Sequence, residues 1–463
     1  MSKEIVLKRK AYQQLIEWKN RTNHKPLIVE GLRQVGKSYL ISKFVDENYD
    51  NKVVFDFRYN RDICKCFEGN LDVDSIISRA SLYIKDSEFI PNKTCIIFEE
   101  ISDCPNARLS LKQFYLDGRF DVIATGSLLG VINYRHLSSI KIPTGYEEYL
   151  KMTSLDFEEF LWALNTPNEA IEKLKECLNK NKELEEVYSN YFKDAIKKYI
   201  VVGGLPEVVC IYLETNSYAK VRGKQSNLLK DYRADFGRFI NDKGEERIDY
   251  NLQAQLNAII DSLPRQLSRE NNNYKFKCSD VIKGSRYSKF KNAFEWLEQS
   301  GLVIRVFNTK AIESPLIENV DEACFKLFFS DIGLLLASLP ISNTQGLIDE
   351  SLESRKGAIY ENLMATMIDK ESFPLFYYHQ SPKHLEIDFL LETKEGIVLL
   401  EEKSTNDKMK ASKNIMEGKT PYKASKCIKV IQSNFGKGSF YVTIPQYAIT
   451  LYLSKEKEKL YTI

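Results

Sequence analysis

Gly31-Leu32-Arg33-Gln34-Val35-Gly36-Lys37-Ser38 satisfies the pattern G-x-x-x-x-G-K-[ST] at every fixed position. Four fixed positions recur by chance, so the flanks carry the reading. Pro26-Leu27-Ile28-Val29-Glu30 is a short apolar run suited to a buried parallel strand, and Leu40, Ile41, Phe44 and Val45 fall at helical spacing after Lys37. Strand, glycine loop and helix in that order aim the loop's backbone N–H groups and the positive end of the helix at one point, where phosphates would sit. Gly31 and Gly36 permit the tight backbone, Lys37 would reach the β- and γ-phosphates of ATP, and the Ser38 hydroxyl would coordinate Mg²⁺.

Such a loop requires a second strand ending in acids that hold the metal and polarise the attacking water. Thr94-Cys95-Ile96-Ile97-Phe98-Glu99-Glu100 supplies one. Glu99 stands where most such ATPases carry Asp, and its longer side chain must retract to keep the Mg²⁺ geometry. Glu100 is the candidate for activating water. A third strand over Phe120–Ala124 closes with Thr125-Gly126-Ser127. Because open α/β sheets bind ligands at the carboxyl ends of their strands, Thr125 or Ser127 is a candidate sensor of the γ-phosphate; a simple turn is the alternative.

At 463 residues the chain is too long for one core and calls for three or four domains. Its 66 basic and 64 acidic residues leave a formal charge of +2, so any nucleic-acid binding must come from local patches rather than a global field. No run of about 18 apolar residues reads as a membrane span, and the N-terminus lacks a signal-peptide core; a cytoplasmic protein is expected. Nine cysteines, none in a Cys-x-x-Cys pair, read as reduced thiols.

The chain divides into four blocks: residues 1–165, 166–245, 246–342 and 343–463. In the second, Ala170 to Tyr232 is helical and charge-rich, interrupted by the breaker Gly203-Gly204-Leu205-Pro206. In the third, helices are expected over Leu252–Leu263, Ser279–Lys283 and Lys289–Gln299, followed by a strand from Gly301. Three helices and a strand ribbon make the winged-helix order, and Lys283, Arg286, Lys289 and Lys291 lie where a DNA-binding version carries its recognition unit. A structural or protein-binding winged helix with solvated lysines is the alternative.

The last block holds a second constellation. Glu386-Ile387-Asp388-Phe389-Leu390-Leu391 alternates as a strand, Thr393-Lys394-Glu395-Gly396 turns, and Ile397–Leu400 runs into Glu401-Glu402-Lys403. Asp, hairpin and Glu-x-Lys form the PD-(D/E)xK nuclease signature. Alternate strand residues share a face, so Glu401 and Lys403 point together and the hairpin brings Asp388 beside them. Asp388 and Glu401 would bind a divalent metal, Lys403 would help activate water, and Glu361, on a helix over Gly357–Ile368, would complete the acidic cluster. An exposed charged hairpin is the bland alternative.

The chain resembles the AAA-type ATPases that join an AAA domain to a domain of unknown function, DUF4143. The resemblance rests on the phosphate loop, on Phe98-Glu99-Glu100-Ile101 with Cys104-Pro105, on Asp117 to Ser127, on Gly203-Gly204-Leu205-Pro206, on Phe329-Ser330-Asp331-Ile332-Gly333-Leu334-Leu335, and on Glu386-Ile387-Asp388-Phe389 with Glu401-Glu402-Lys403. It implies an α/β chain: a P-loop ATPase domain with a parallel sheet (1–165), a helical lid (166–245), a winged helix (246–342) and a nuclease-like α/β domain (343–463). ATP and Mg²⁺ are the implied cofactors, with a second divalent metal at the nuclease-like site. DNA and a second copy of the chain are the expected partners, with no membrane. Arg119 and Arg135 are candidates for an arginine finger, or surface arginines. The expected function is Mg²⁺-dependent ATP hydrolysis that controls nucleic-acid association. The alternative is a nucleotide-switched regulator or protein-remodelling ATPase whose nuclease-like domain is inactive.

Overall fold

A computed structural model describes residues 5–85, 87–127, 145–240, 246–267, 275–349, 356–380, 385–403 and 409–461. The chain is α/β. Its first sheet is wholly parallel, in the order β2-β3-β4-β1-β5, from β1 (Leu27–Gly31), β2 (Asn51–Asp56), β3 (Thr94–Glu99), β4 (Asp121–Ser127) and β5 (Glu148–Lys151). Period-two alternation explains why the central strands are apolar throughout. Leu27, Val29, Ile97 and Ile123 pack on one side with Leu40, Ile41, Phe44 and Val45 of the helix Lys37–Asn48. Ile28, Ile96, Phe98 and Val122 pack on the other with the helices Val73–Tyr83 and Pro105–Asp117.

After β5 comes the helix Phe157–Ala163, which opens on a capping box between Asp156 and Glu159. The helix Glu186–Val202 then stops at Gly203, and Pro206 starts the next helix, Pro206–Thr215. After a short antiparallel pair, β6 (Arg238–Ile240) and β7 (Glu246–Ile248), the helices Tyr250–Leu267, Cys278–Val281 and Tyr287–Gln299 precede a second antiparallel pair, β8 (Val303–Thr309) and β9 (Val320–Phe329), in the expected order.

That pair does not end a separate unit. The second sheet has eight strands in the order β14-β15-β13-β12-β11-β10-β8-β9, and β8 runs parallel to β10 (Phe376–Gln380), so one sheet crosses the 342/343 boundary expected from the sequence. The hairpin β11 (Leu385–Thr393) and β12 (Gly396–Glu402) lies at its centre between β10 and β13 (Lys426–Ile431), and β15 (Val442–Pro445) and the short β14 (Gly436–Lys437) continue the sheet beyond β13.

The quoted motifs outside the two sites meet in the interior. Asp331 is buried; its Oδ2 accepts from the Gly204 N–H at 2.9 Å and the Ser154 hydroxyl at 2.7 Å, and its Oδ1 accepts from the Gly333 N–H at 2.9 Å. This carboxylate ties the segment after β5, the Gly203–Pro206 corner and the helix Ile332–Ser338 together. Among the described residues no helix is long and apolar enough to cross a membrane.

Candidate nucleotide site and acidic cluster

The phosphate loop closes where β1 meets the helix Lys37–Asn48. A Cβ on Gly31 would stand 2.0 Å from the Met152 carbonyl oxygen, so only glycine lets the loop pass β5. Gly36, the residue capping the helix, has φ +88°, a left-handed conformation that glycine adopts without strain. The Lys37 ammonium is buried and donates to the carbonyls of Gly31 at 3.0 Å and Leu32 at 3.1 Å. Burial pulls its pKa below the ordinary lysine value, against the attraction of Glu100.

At the tip of β3, the Glu99 carboxylate oxygen Oε2 accepts from Ser38 Oγ at 2.7 Å and from Thr125 Oγ1 at 2.7 Å. The loop serine and the acidic strand thus come together across the intervening strand β4. Thr125 is fully buried, and its hydroxyl also accepts from the Glu100 N–H at 2.9 Å, so it fastens the acid pair. Glu100 turns out of the strand with φ +51° and faces Arg58 at 4.0 Å. Ser127 pairs through its backbone with Gly31; its side chain lies outside the described residues. Arg119 is bound by Asp117 and Asp74, and Arg135 lies outside the described residues. Ser38 and Glu99 together fit a Mg²⁺ ion, and Lys37 with the loop amides fits a triphosphate.

Sequence reasoning passed over the groups that hold the loop from outside. Arg9 is buried and donates to the Val35 carbonyl at 2.9 Å and to Glu159 at 3.1 Å. Tyr232 donates to the Arg33 carbonyl at 2.9 Å, and Arg33 pairs with Asp235. These partners are 22 or more residues from the loop (Arg9 against Gly31), and no local pattern announces them.

In the second sheet, Asp388 and Glu401 follow directly on the Phe389–Leu400 pair of the β11–β12 hairpin and so face each other. Lys403 lies between them, its Nζ 2.7 Å from Asp388 and 3.5 Å from Glu401. Asp388 also accepts from the Glu402 N–H at 3.0 Å, and Ser412 donates to Glu401. Glu361, on the helix Lys356–Lys370, belongs to the same cluster but is paired with Lys326 at 2.5 Å, and Lys326 also reaches Glu386 at 3.4 Å. Burial first, and repulsion from Asp388 second, push Glu401 up to about 7 and Glu402 up to about 8. Burial also raises Glu361, against the pull of Lys326. Among the described residues no three His, Cys, Asp or Glu side chains stand as a ligand set for a metal ion. The expected ligands Asp388, Glu401 and Glu361 are therefore neighbours whose charge is taken up by two lysines. Lys326 was missed in the sequence; its signal is a lysine inside the apolar run Phe325-Lys326-Leu327-Phe328-Phe329 of β9, where it is 5% exposed.

On the helical block, Lys283, Arg286, Lys289 and Lys291 are all exposed. Lys291 is 3.9 Å from Glu295, and the other three have no ion pair among the described residues.

The chain matches the family model of an AAA domain over residues 23–161, and models of two domains of unknown function, DUF8612 over 193–345 and DUF4143 over 356–447. The first and last coincide with the resemblance read from the motifs. No curated protein matches the chain. Similar solved structures include the Aeropyrum pernix ORC1 protein in complex with DNA, at 11% identity and TM-score 0.28, covering 75% of this chain and 95% of that one. The Aeropyrum pernix ORC2 protein with ADPNP and ADP is 12% identical with TM-score 0.34, covering 74% and 93%. The Drosophila ORC bound to AT-rich DNA and Cdc6 is 13% identical with TM-score 0.23, covering 52% and 87%. Likenesses this remote say nothing of ligand or partner.

Proposed function

We propose that this chain, which pairs an AAA domain with a DUF4143 region, binds ATP with Mg²⁺, hydrolyses it, and uses the cycle to control association with nucleic acid. The observation that carries the reading is the bridge Ser38–Glu99–Thr125 at the mouth of a loop whose lysine is buried under it. In this reading Gly31, Gly36 and Lys37 hold the phosphates, Ser38 and Glu99 hold the metal, and Glu100 orients water. Bound Mg²⁺ would neutralise charge on the phosphates. The AAA unit spans 1–165 and a helical lid 166–245, and the winged-helix region 246–342 and the nuclease-like region 343–463 share the eight-stranded sheet. Exposed Lys283, Arg286 and Lys289 would contact a phosphate backbone.

The acidic cluster supports a second reading, in which the nuclease-like domain binds without cutting, because Lys403 and Lys326 already neutralise its carboxylates. Steady-state ATP hydrolysis with Mg²⁺, titrated with duplex and single-stranded DNA at low salt against a Lys37→Ala blank, tests the first reading. Stimulation by DNA that fades with salt supports it. Hydrolysis indifferent to DNA favours a protein-directed switch. A metal-dependent cleavage activity lost in Lys403→Ala would overturn the non-cutting reading.

A further inference from the structure

Two thiols lie together beside the turn that carries Glu100. Cys64 sits in the short 3₁₀ segment Arg61–Phe67, partly exposed, with its Sγ 3.9 Å from the carbonyl oxygen of Asp103, the residue before Cys104. Cys104 is 3% exposed at the start of the helix Pro105–Asp117 and follows directly on the Asp103 carbonyl that the Cys64 sulfur touches. Both pack into the apolar cluster on one side of the parallel sheet. We propose that Cys64 and Cys104 form an oxidisable pair, Cys64 as the thiol that meets a peroxide and Cys104 as the thiol that resolves it into a disulfide.

The chemical environment suits those roles. The neighbouring Cys104 thiol, aided by Arg61, holds the Cys64 thiol below its ordinary range, and exposure gives a small oxidant access to it. Cys104 is pushed up, first by the neighbouring Cys64 and then by burial. Cys66, two residues from Cys64, is fully buried and pushed up to about 11 by burial, which leaves it inert.

With hydrogen peroxide the step balances. The Cys64 sulfur attacks one peroxide oxygen, the O–O bond breaks, and the departing hydroxide leaves as water, giving a sulfenic acid. The Cys104 sulfur then attacks the Cys64 sulfur, the S–O bond breaks, and hydroxide takes the Cys104 proton as a second water. Two thiols are oxidised to one disulfide and one peroxide is reduced. The product would staple the segment after Arg58 to the turn in which the Asp103 N–H binds the Glu100 carbonyl at 2.8 Å.

The test is mass spectrometry of the full chain after stoichiometric peroxide, with alkylation of the remaining thiols. We expect two of the nine cysteines to become resistant to alkylation, a Cys64–Cys104 linked peptide to appear, and dithiothreitol to reverse both. Cys64→Ser and Cys104→Ser should each abolish the link, and in Cys104→Ser the Cys64 sulfur should accumulate as sulfenic or sulfinic acid. A link from Cys64 to Cys66, a Cys64 that over-oxidises in the wild-type chain, or a Cys64 that stays alkylatable while other cysteines react would each overturn the proposal. None of these readouts depends on ATP hydrolysis.

Discussion

Thr125 shows how one hydroxyl serves two acids: it donates to Glu99 and accepts from the Glu100 amide. Changing it to valine keeps the volume and removes both bonds. Hydrogen bonds to charged groups contribute roughly 1.5–3 kcal/mol, so kcat should fall about ten- to a hundred-fold while nucleotide affinity changes less. Steady-state kinetics beside fluorescent-nucleotide binding checks this; an unchanged kcat would sink the assigned role. At the acidic cluster, Glu402 is held up at about 8, well above the unfolded carboxylate. The folded chain therefore binds a proton there that the unfolded chain releases. That contribution is complete below about pH 4 and is lost as pH rises through the folded pKa, between roughly pH 4 and 8. Glu402→Gln should flatten the fall in Tm over that window and raise Tm at pH 8 by several degrees, measurable by calorimetry. The glycine and lysine of the loop were legible in the sequence because their chemistry is local. The use of Thr125 as a clasp for the acids was not, since it depends on β4 lying between β1 and β3.

Among elements, the hairpin β11–β12 and the unit from β1 into the helix Lys37–Asn48 follow from periodicity, because strand alternation and helical spacing are written in neighbouring residues. The partner of a strand is not written there. β8 pairs with β10 across about 70 residues of chain, and that pairing carries Lys326 to Glu361. A fragment of residues 343–463 would therefore leave an open edge on β10 and a buried Glu361 without its lysine. We expect it to aggregate or give poorly dispersed NMR spectra; a well-dispersed, cooperative fold would show that the sheet does not need β8 and β9.

For the whole molecule, the buried Asp331 joins three segments, and the phosphate loop is held through Arg9 to the Glu159 capping box. Asp331→Ala strands two backbone N–H groups and a hydroxyl in the interior, at a cost on the order of 3 kcal/mol or more. Urea unfolding should show the midpoint falling accordingly, and a shift too small to measure would mean that the three segments dock without it. Net charge and length gave no hint of this junction, although its members were quoted as separate motifs. The loop and its acids meet their sharpest trial in Glu100→Gln, assayed with Mg²⁺ for both ATP binding and ATP hydrolysis. Retained binding with hydrolysis reduced about a hundred-fold or more is the predicted result. Hydrolysis at the wild-type rate would contradict the assignment of Glu100 as the residue that orients water.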